Sequence, residues 1–306
     1  MRKQGPGASR RPPVKKSTAK EAAEGGLPIE RVLDGSTIAD SESLDFESSP
    51  YAISVLVKKG HDECGDSAFV FCGKSKIIMA LFDGVSGEPG ASKASGDAAR
   101  SILGSLKGKD RISEQDIICA LQRADADIRF GFTTALVLSI DRESHGFLIA
   151  SVGDSAAYSR DSKGAVSLEL PMSRAVRDGD SIMRFFSYRN LVSSILGQGR
   201  ACGSQERPGC DIPILSGKIG KGEAIILASD ALADNLFMKT RDGLVTDSSG
   251  TEDLRRIIAK DKEPKMIVAK LRAEIKNRIK GGRVDKDGAV LIPKQDDLSI
   301  AVISRA

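Results

Sequence analysis

Between residues 51 and 82 the apolar positions fall in three short, dense runs, YAISVLVKK, SAFVFCG and KIIMALF, separated by turns rich in Gly, Asp and Lys. Runs of this length between turn-formers predict strands, and the unbroken apolar stretch 77–82 predicts one buried on both faces. The period then changes. Ala94, Ala98, Ala99, Ile102, Leu103 and Leu106 recur at helical spacing, which predicts a helix over 91–106. A second helix is expected over 113–129, with Ser113 as N-cap and Glu114 and Asp116 in its first turn. Strands resume at FTTALVLSI and GFLIASVGDS, joined by the polar turn DRESH as in a hairpin. A strand over EAIILAS, helices over 251–259 and 264–280, and a last strand, DDLSIAVIS, complete the pattern. Two helices between strand groups, in place of one after each strand, argue for an α+β fold rich in antiparallel pairing.

Two regions break the pattern. Residues 1–48 hold Gly, Pro, Ser, Lys and Arg with few apolar side chains, which predicts a disordered basic tail outside a folded unit at 49–306. Residues 171–200 are mixed and polar and read as a flap-like insertion.

Charge changes the picture only at the tail. The net charge is +4, but residues 1–26 carry seven Lys or Arg against two Glu, leaving the rest near −1. That is no basic nucleic-acid surface. With no Trp and 4% aromatics, base-stacking platforms are not expected either. No apolar run reaches the ~18 residues of a membrane span, and the N-terminus lacks a secretory core, so a cytoplasmic location is the default expectation. Five cysteines in such a chain do not suggest a disulfide framework, although Cys202 and Cys210 flank a loop and could pair. Only two histidines, His61 and His145, leave little material for a histidine triad or a zinc site.

The chemistry lies in acids at strand ends. The 77–82 run delivers Asp83, GFLIASVGDS delivers Asp154, EAIILASDALAD delivers Asp230, and Asp296 and Asp297 open the last strand. Between antiparallel neighbours, a strand ending in Asp and one beginning with Asp place their carboxylates at the same edge. Each such acid has a plain structural alternative, Asp83-Gly84 as a turn and Ser229-Asp230 as a helix start. Together they make a hard-oxygen environment suited to Mg²⁺ or Mn²⁺. Two such ions sharing a carboxylate would activate a bridging water and clamp a phosphoryl group, the arrangement of a phosphohydrolase.

The order DGVSGEPGASKAS, FTTA, SVGDS, ILASDALAD and DDLSIAVI resembles the metal-dependent Ser/Thr protein phosphatases of the protein phosphatase 2C-like family, in a prokaryotic-type form. The likeness runs from about Tyr51 to Arg305, and RNLVSSILG resembles the family's segment after the flap. It implies a four-layer α-β-β-α sandwich, two antiparallel sheets flanked by helices, with the metals at one end. By motif position Asp83 would bridge two ions, the Gly84 carbonyl would bind the second, Asp230 and Asp296 would complete the first site, and Asp154 would help hold a third. Asp66, in GHDECGDSAF, would orient metal-bound water, and His61 stands where the family commonly has a phosphate-gripping Arg. The chain also departs at Gly65, Val85, Ala156 and Ala231.

These readings give a phosphoserine/phosphothreonine phosphatase with two or three Mg²⁺ or Mn²⁺ ions, in which a metal-bridging hydroxide attacks phosphorus without a phosphoenzyme. Its expected partners are phosphorylated protein substrates and their kinase, in a signalling role, with no membrane or nucleic acid and a monomeric state. His61, Gly65 and Ala231 keep a second reading open, a catalytically weak or inactive member acting as a phosphoprotein-binding regulatory scaffold.

Overall fold

The computed structural model describes residues 28–170, 194–197, 212–237, 239–241, 244–247, 250–280, 283–284, 290–291 and 293–306. One sheet has the order β1 (Ile29–Leu33), β4 (Ser67–Cys72), β5 (Lys76–Phe82), β6 (Ala135–Asp141), β7 (Gly146–Val152), β10 (Ile214–Lys218). The other runs β2 (Ser41–Ser48), β3 (Tyr51–Lys58), β12 (Leu298–Arg305), β11 (Ala224–Ala228), β8 (Ala156–Arg160), β9 (Val166–Leu170). Every pairing in both sheets is antiparallel.

The alternation of side chains along each strand builds three cores. In β5, Ile77, Met79 and Leu81 point between the sheets, where they meet Val55, Leu138 and Leu227. Ile78, Ala80 and Phe82 point the other way, onto α1 (Ala91–Leu106) and α2 (Glu114–Asp127). This is why 77–82 is apolar without a break. On the far side Leu56, Ile226 and Ile300 pack against α4 (Thr251–Ile258) and α5 (Pro264–Arg278). A short α3 (Asp230–Ala233) follows β11 directly. The architecture is therefore α-β-β-α, as expected.

The helix ends follow the local chemistry. The Ser113 hydroxyl accepts from the Asp116 N–H, and the Asp116 carboxylate accepts from the Ser113 N–H, which satisfies two otherwise orphaned donors at the start of α2. Pro264, which has no N–H to leave unpaired, opens α5.

The expected boundary at residue 48 is corrected. Residues 29–33 and 41–48 form β1 and β2, the edge strands of the two sheets, with β2 paired to β3 along its full length. Their polar composition reflects one-sided burial, since an edge strand needs few apolar positions. The expected disorder of the remaining tail, most of the 171–200 insertion, and Cys202 and Cys210 lie outside the described residues.

Truncating Leu138, fully buried between the sheets, to Ala is expected to cost about 2–5 kcal/mol in urea unfolding. The same change at Met266, 46% exposed on α5, should fall within about 0.5 kcal/mol. Equal losses at both positions would contradict the layer assignment.

Candidate functional site

Strand register brings the acids to one rim of the sandwich. Ser67 of β4 lies opposite Phe82 of β5, so Asp66, just before β4, and Asp83, just after β5, emerge together. In the second sheet Ala228 pairs with Ile300 and Lys58 with Leu298. Asp230, Asp296 and His61 therefore leave their strands at one end. Asp154 sits in the turn by which the chain passes from β7 in one sheet to β8 in the other. The result is a cleft of about 310 Å³ walled by His61, Asp83, Asp154, Asp230, Lys294 and Asp296 among others. Asp66 is 1% exposed.

Short-range chemistry fixes these positions. The Asp83 N–H donates to Thr134 Oγ1 at 3.1 Å, and its carbonyl accepts from the Thr134 N–H at 2.8 Å and from Thr133 Oγ1 at 2.9 Å. FTTA is thus a clamp on the backbone of Asp83. Thr134 Oγ1 also lies 3.2 Å from Ser155 Oγ, which couples the clamp to the turn bearing Asp154. The Gly84 N–H donates to the Gly65 carbonyl at 3.2 Å. A Cβ at Gly84 would come within 2.6 Å of the carbonyl oxygens of Gly65 and Ala91, so no larger residue fits there.

Asp297 serves a different purpose from its neighbour. Its two carboxylate oxygens accept the N–H groups of Gly60 and Gly65, each at 2.5 Å, and so hold the 60–65 loop that carries His61 and leads into Asp66. A side chain at Gly60 would run into the Asp296 carbonyl. His61 Nε2 reaches Asp296 Oδ1 at 3.3 Å while its ring stays 47% exposed.

The gathered carboxylates repel one another. Burial, then the charges of Asp66, Asp230, Asp154 and Asp296, raises the Asp83 carboxyl well above the usual carboxylate range. Burial, then Asp297 and Asp296, does the same to Asp66. Burial and the Asp230 charge push Asp154 up to about 8. Lys294 supplies a counter-charge inside the cleft, its Nζ 2.5 Å from Asp230 Oδ2, 2.8 Å from Asp296 Oδ2 and 3.3 Å from Asp234 Oδ2. Burial disfavours that ammonium, but Asp230, Asp234 and Asp296 outweigh burial and raise Lys294 above the ordinary lysine range.

Among the described residues no three His, Cys, Asp or Glu side chains stand at joint ligating distance. The donor chemistry nonetheless fits a hard divalent cation. Both carboxylate oxygens of Asp66 and Oδ1 of Asp230 are buried without a hydrogen-bond partner among the described residues, and a cation, the Lys294 ammonium, already lies between Asp230 and Asp296.

The sequence-predicted set Asp83, Asp154, Asp230, Asp296 and His61 is brought into one cleft, with Asp66 buried within electrostatic reach and Gly84 fixed at the end of β5. Sequence reasoning missed Asp234 and Lys294, and it named Asp297 only together with Asp296, without a role of its own. Asp234 carried a signal, because it follows Asp230 by four residues and shares its face of α3. Asp297 stood beside Asp296 in a plain Asp-Asp pair. Nothing in the sequence marks Lys294.

No protein-family model and no curated protein sequence matches the chain. Solved structures do. A structure of RsbX in complex with magnesium is 17% identical with a TM-score of 0.56, covering 87% of this chain and 100% of that one. A structure of the S. agalactiae serine/threonine phosphatase is 15% identical with a TM-score of 0.57 over 84% of this chain and 100% of that one. The SiaA-PP2C domain of Pseudomonas aeruginosa is 14% identical with a TM-score of 0.54 over 83% and 85%. This chain has a protein phosphatase 2C-like fold. The protein phosphatase 2C-like sandwich here carries its acidic cleft at the strand ends, with Asp83 and Asp66 from one sheet facing Asp230 and Asp296 from the other.

The repulsion has a measurable consequence. A carboxyl whose folded pKa is raised binds a proton in the native state that the unfolded state has released, so it loses stability as pH rises from the ordinary value of 3.8 to about 8. In chelator, the stability advantage of Asp154→Asn over the wild type should therefore grow between about pH 4 and pH 8. Melting curves across that range check this. A constant or shrinking advantage would contradict it.

Proposed function

We propose that this protein is a metal-dependent phosphatase acting on phosphoserine and phosphothreonine in proteins. The observation that carries the reading is the convergence of Asp83, Asp154, Asp230 and Asp296 on one cleft of a protein phosphatase 2C-like fold. Asp83, Asp230 and Asp296, with the Gly84 carbonyl, would hold Mg²⁺ or Mn²⁺, and Asp154 would contribute to a further, weaker position. Bound there, such ions supply positive charge that neutralises a phosphoryl group and lowers the pKa of water.

The chain's own groups supply the rest. Asp66, with two unpartnered carboxylate oxygens, is suited to accept hydrogen bonds from water and orient it. His61, half exposed at the mouth and tethered to Asp296, is placed to meet a substrate phosphate. With divalent cations on its carboxylates, this open cleft would accept a phosphorylated side chain presented by a protein surface. The partners under this reading are phosphoproteins and the kinase that opposes it. No helix among the described residues is long and apolar enough to cross a membrane.

A phosphoprotein-binding scaffold without efficient catalysis is the second reading. Lys294, seated among Asp230, Asp234 and Asp296, favours it.

Hydrolysis of p-nitrophenyl phosphate and of phosphothreonine peptides with Mn²⁺ separates the two. The phosphatase reading expects turnover by the wild type and a loss of roughly a hundredfold or more in Asp83→Asn and Asp230→Asn, with the fold intact. Wild-type inactivity, or full activity in both variants, would overturn it.

A further inference from the structure

Lys294 is an unusual occupant of an acidic cleft. A lysine on a loop ordinarily extends its ammonium into water, where four rotatable bonds keep their freedom. Here the side chain is 18% exposed, and the ammonium lies within ion-pair distance of three carboxylates from two separate segments, Asp230 and Asp234 on one and Asp296 on the other.

The backbone beneath it is held just as firmly. The fully buried amide of Asn235 donates from Nδ2 to the Lys294 carbonyl at 2.9 Å and accepts the Lys294 N–H at Oδ1, 3.2 Å away. The same Asn235 amide donates to the Ala231 carbonyl at 2.8 Å, fixing it to α3. The Asn235 main-chain carbonyl accepts from Arg278 at 2.8 Å, and Arg278 is itself paired with the buried Asp253. A continuous buried network thus fixes where the lysine begins, and the carboxylates fix where it ends.

We infer that Lys294 is a built-in cation that competes with divalent ions for Asp230 and Asp296, and so sets how many such ions the cleft takes and how tightly. The inference rests on the metal-dependent reading above and deepens it. The ammonium is paired with Asp230 Oδ2 and Asp296 Oδ2 and leaves Asp230 Oδ1 open, so a divalent ion seated on the two paired oxygens would lie beside a like charge that repels it. To bind across Asp230 Oδ2 and Asp296 Oδ2, a divalent ion must either displace the ammonium or bear its repulsion; towards Asp83 and Asp154 it displaces no ion pair, because those of Lys294 run to Asp230, Asp234 and Asp296. Lys294 is a positioning and specificity residue in this account. Held where it is, it also keeps the carboxylates together when metal is scarce.

Calorimetric titration of the full chain with Mn²⁺ tests this, comparing the wild type with Lys294→Gln and Lys294→Arg. Removing the charge in Lys294→Gln is expected to tighten Mn²⁺ binding about tenfold or to add one ion to the stoichiometry, while Lys294→Arg, which keeps the charge, shows neither gain. Wild-type hydrolysis with unchanged Mn²⁺ affinity and number in Lys294→Gln would overturn the competition and leave the phosphatase reading standing. Absence of Mn²⁺ binding in all three proteins would overturn both. A second measurement needs no variant. Amine acetylation of the wild type, read by mass spectrometry, should leave Lys294 protected in chelator and expose it at saturating Mn²⁺, whereas equal labelling in both conditions would contradict displacement.

Discussion

The structure turns on mutual repulsion among carboxylates that the fold crowds into one cleft. Asp66, Asp83, Asp154, Asp230 and Asp296 come from five different segments, and burial makes the charges of Asp66, Asp83 and Asp154 costly where they stand. An unpaired buried charge is tolerated when something positive answers it. Among the described residues the answer inside the cleft is the Lys294 ammonium, which pairs with Asp230, Asp234 and Asp296. Among the described residues neither carboxylate oxygen of Asp66 has a hydrogen-bond partner. Such an arrangement is unfavourable for stability and is the kind found where a site is kept for binding.

The remainder of the fold makes that concentration of charge rigid. Two sheets with an apolar layer between them and helices on both outer faces hold the strand ends in place to within the register of their hydrogen bonds. Backbone clamps do the fine positioning. Thr133 and Thr134 grip Asp83, Asp297 ties the 60–65 loop to the start of β12, and Asn235 ties Lys294 to α3. Several of the polar residues near the cleft act on the backbone in this way, so a change at one of them would move an acid without touching it.

Much of this was legible in the sequence because the relevant signals were local. The 77–82 run is apolar on both faces since both faces are covered, and the 91–106 periodicity shows one buried stripe, now seen against Phe82 and Ile78. The acids could be named from their place at strand ends, and antiparallel register alone was enough to bring Asp230 beside Asp296. What was not legible depends on tertiary context. β1 and β2 are edge strands whose half-exposed composition imitates a tail, and only pairing with β4 and β3 distinguishes them. Lys294 reads as an ordinary surface lysine until the fold closes three carboxylates around it. Asp297 and Asp296 are identical letters with opposite orientations, one turned to backbone amides and the other to the cleft.

Anomalous scattering from crystals of the full chain grown with saturating Mn²⁺ tests the central claim most directly, that these acids converge in order to hold hard cations. A peak within about 2.0–2.6 Å of an Asp83 carboxylate oxygen, with Asp230 or Asp296 or Asp154 in the same coordination shell, is the expected result. Manganese peaks confined to the outer surface, with the cleft empty and Lys294 still among Asp230, Asp234 and Asp296, would contradict it.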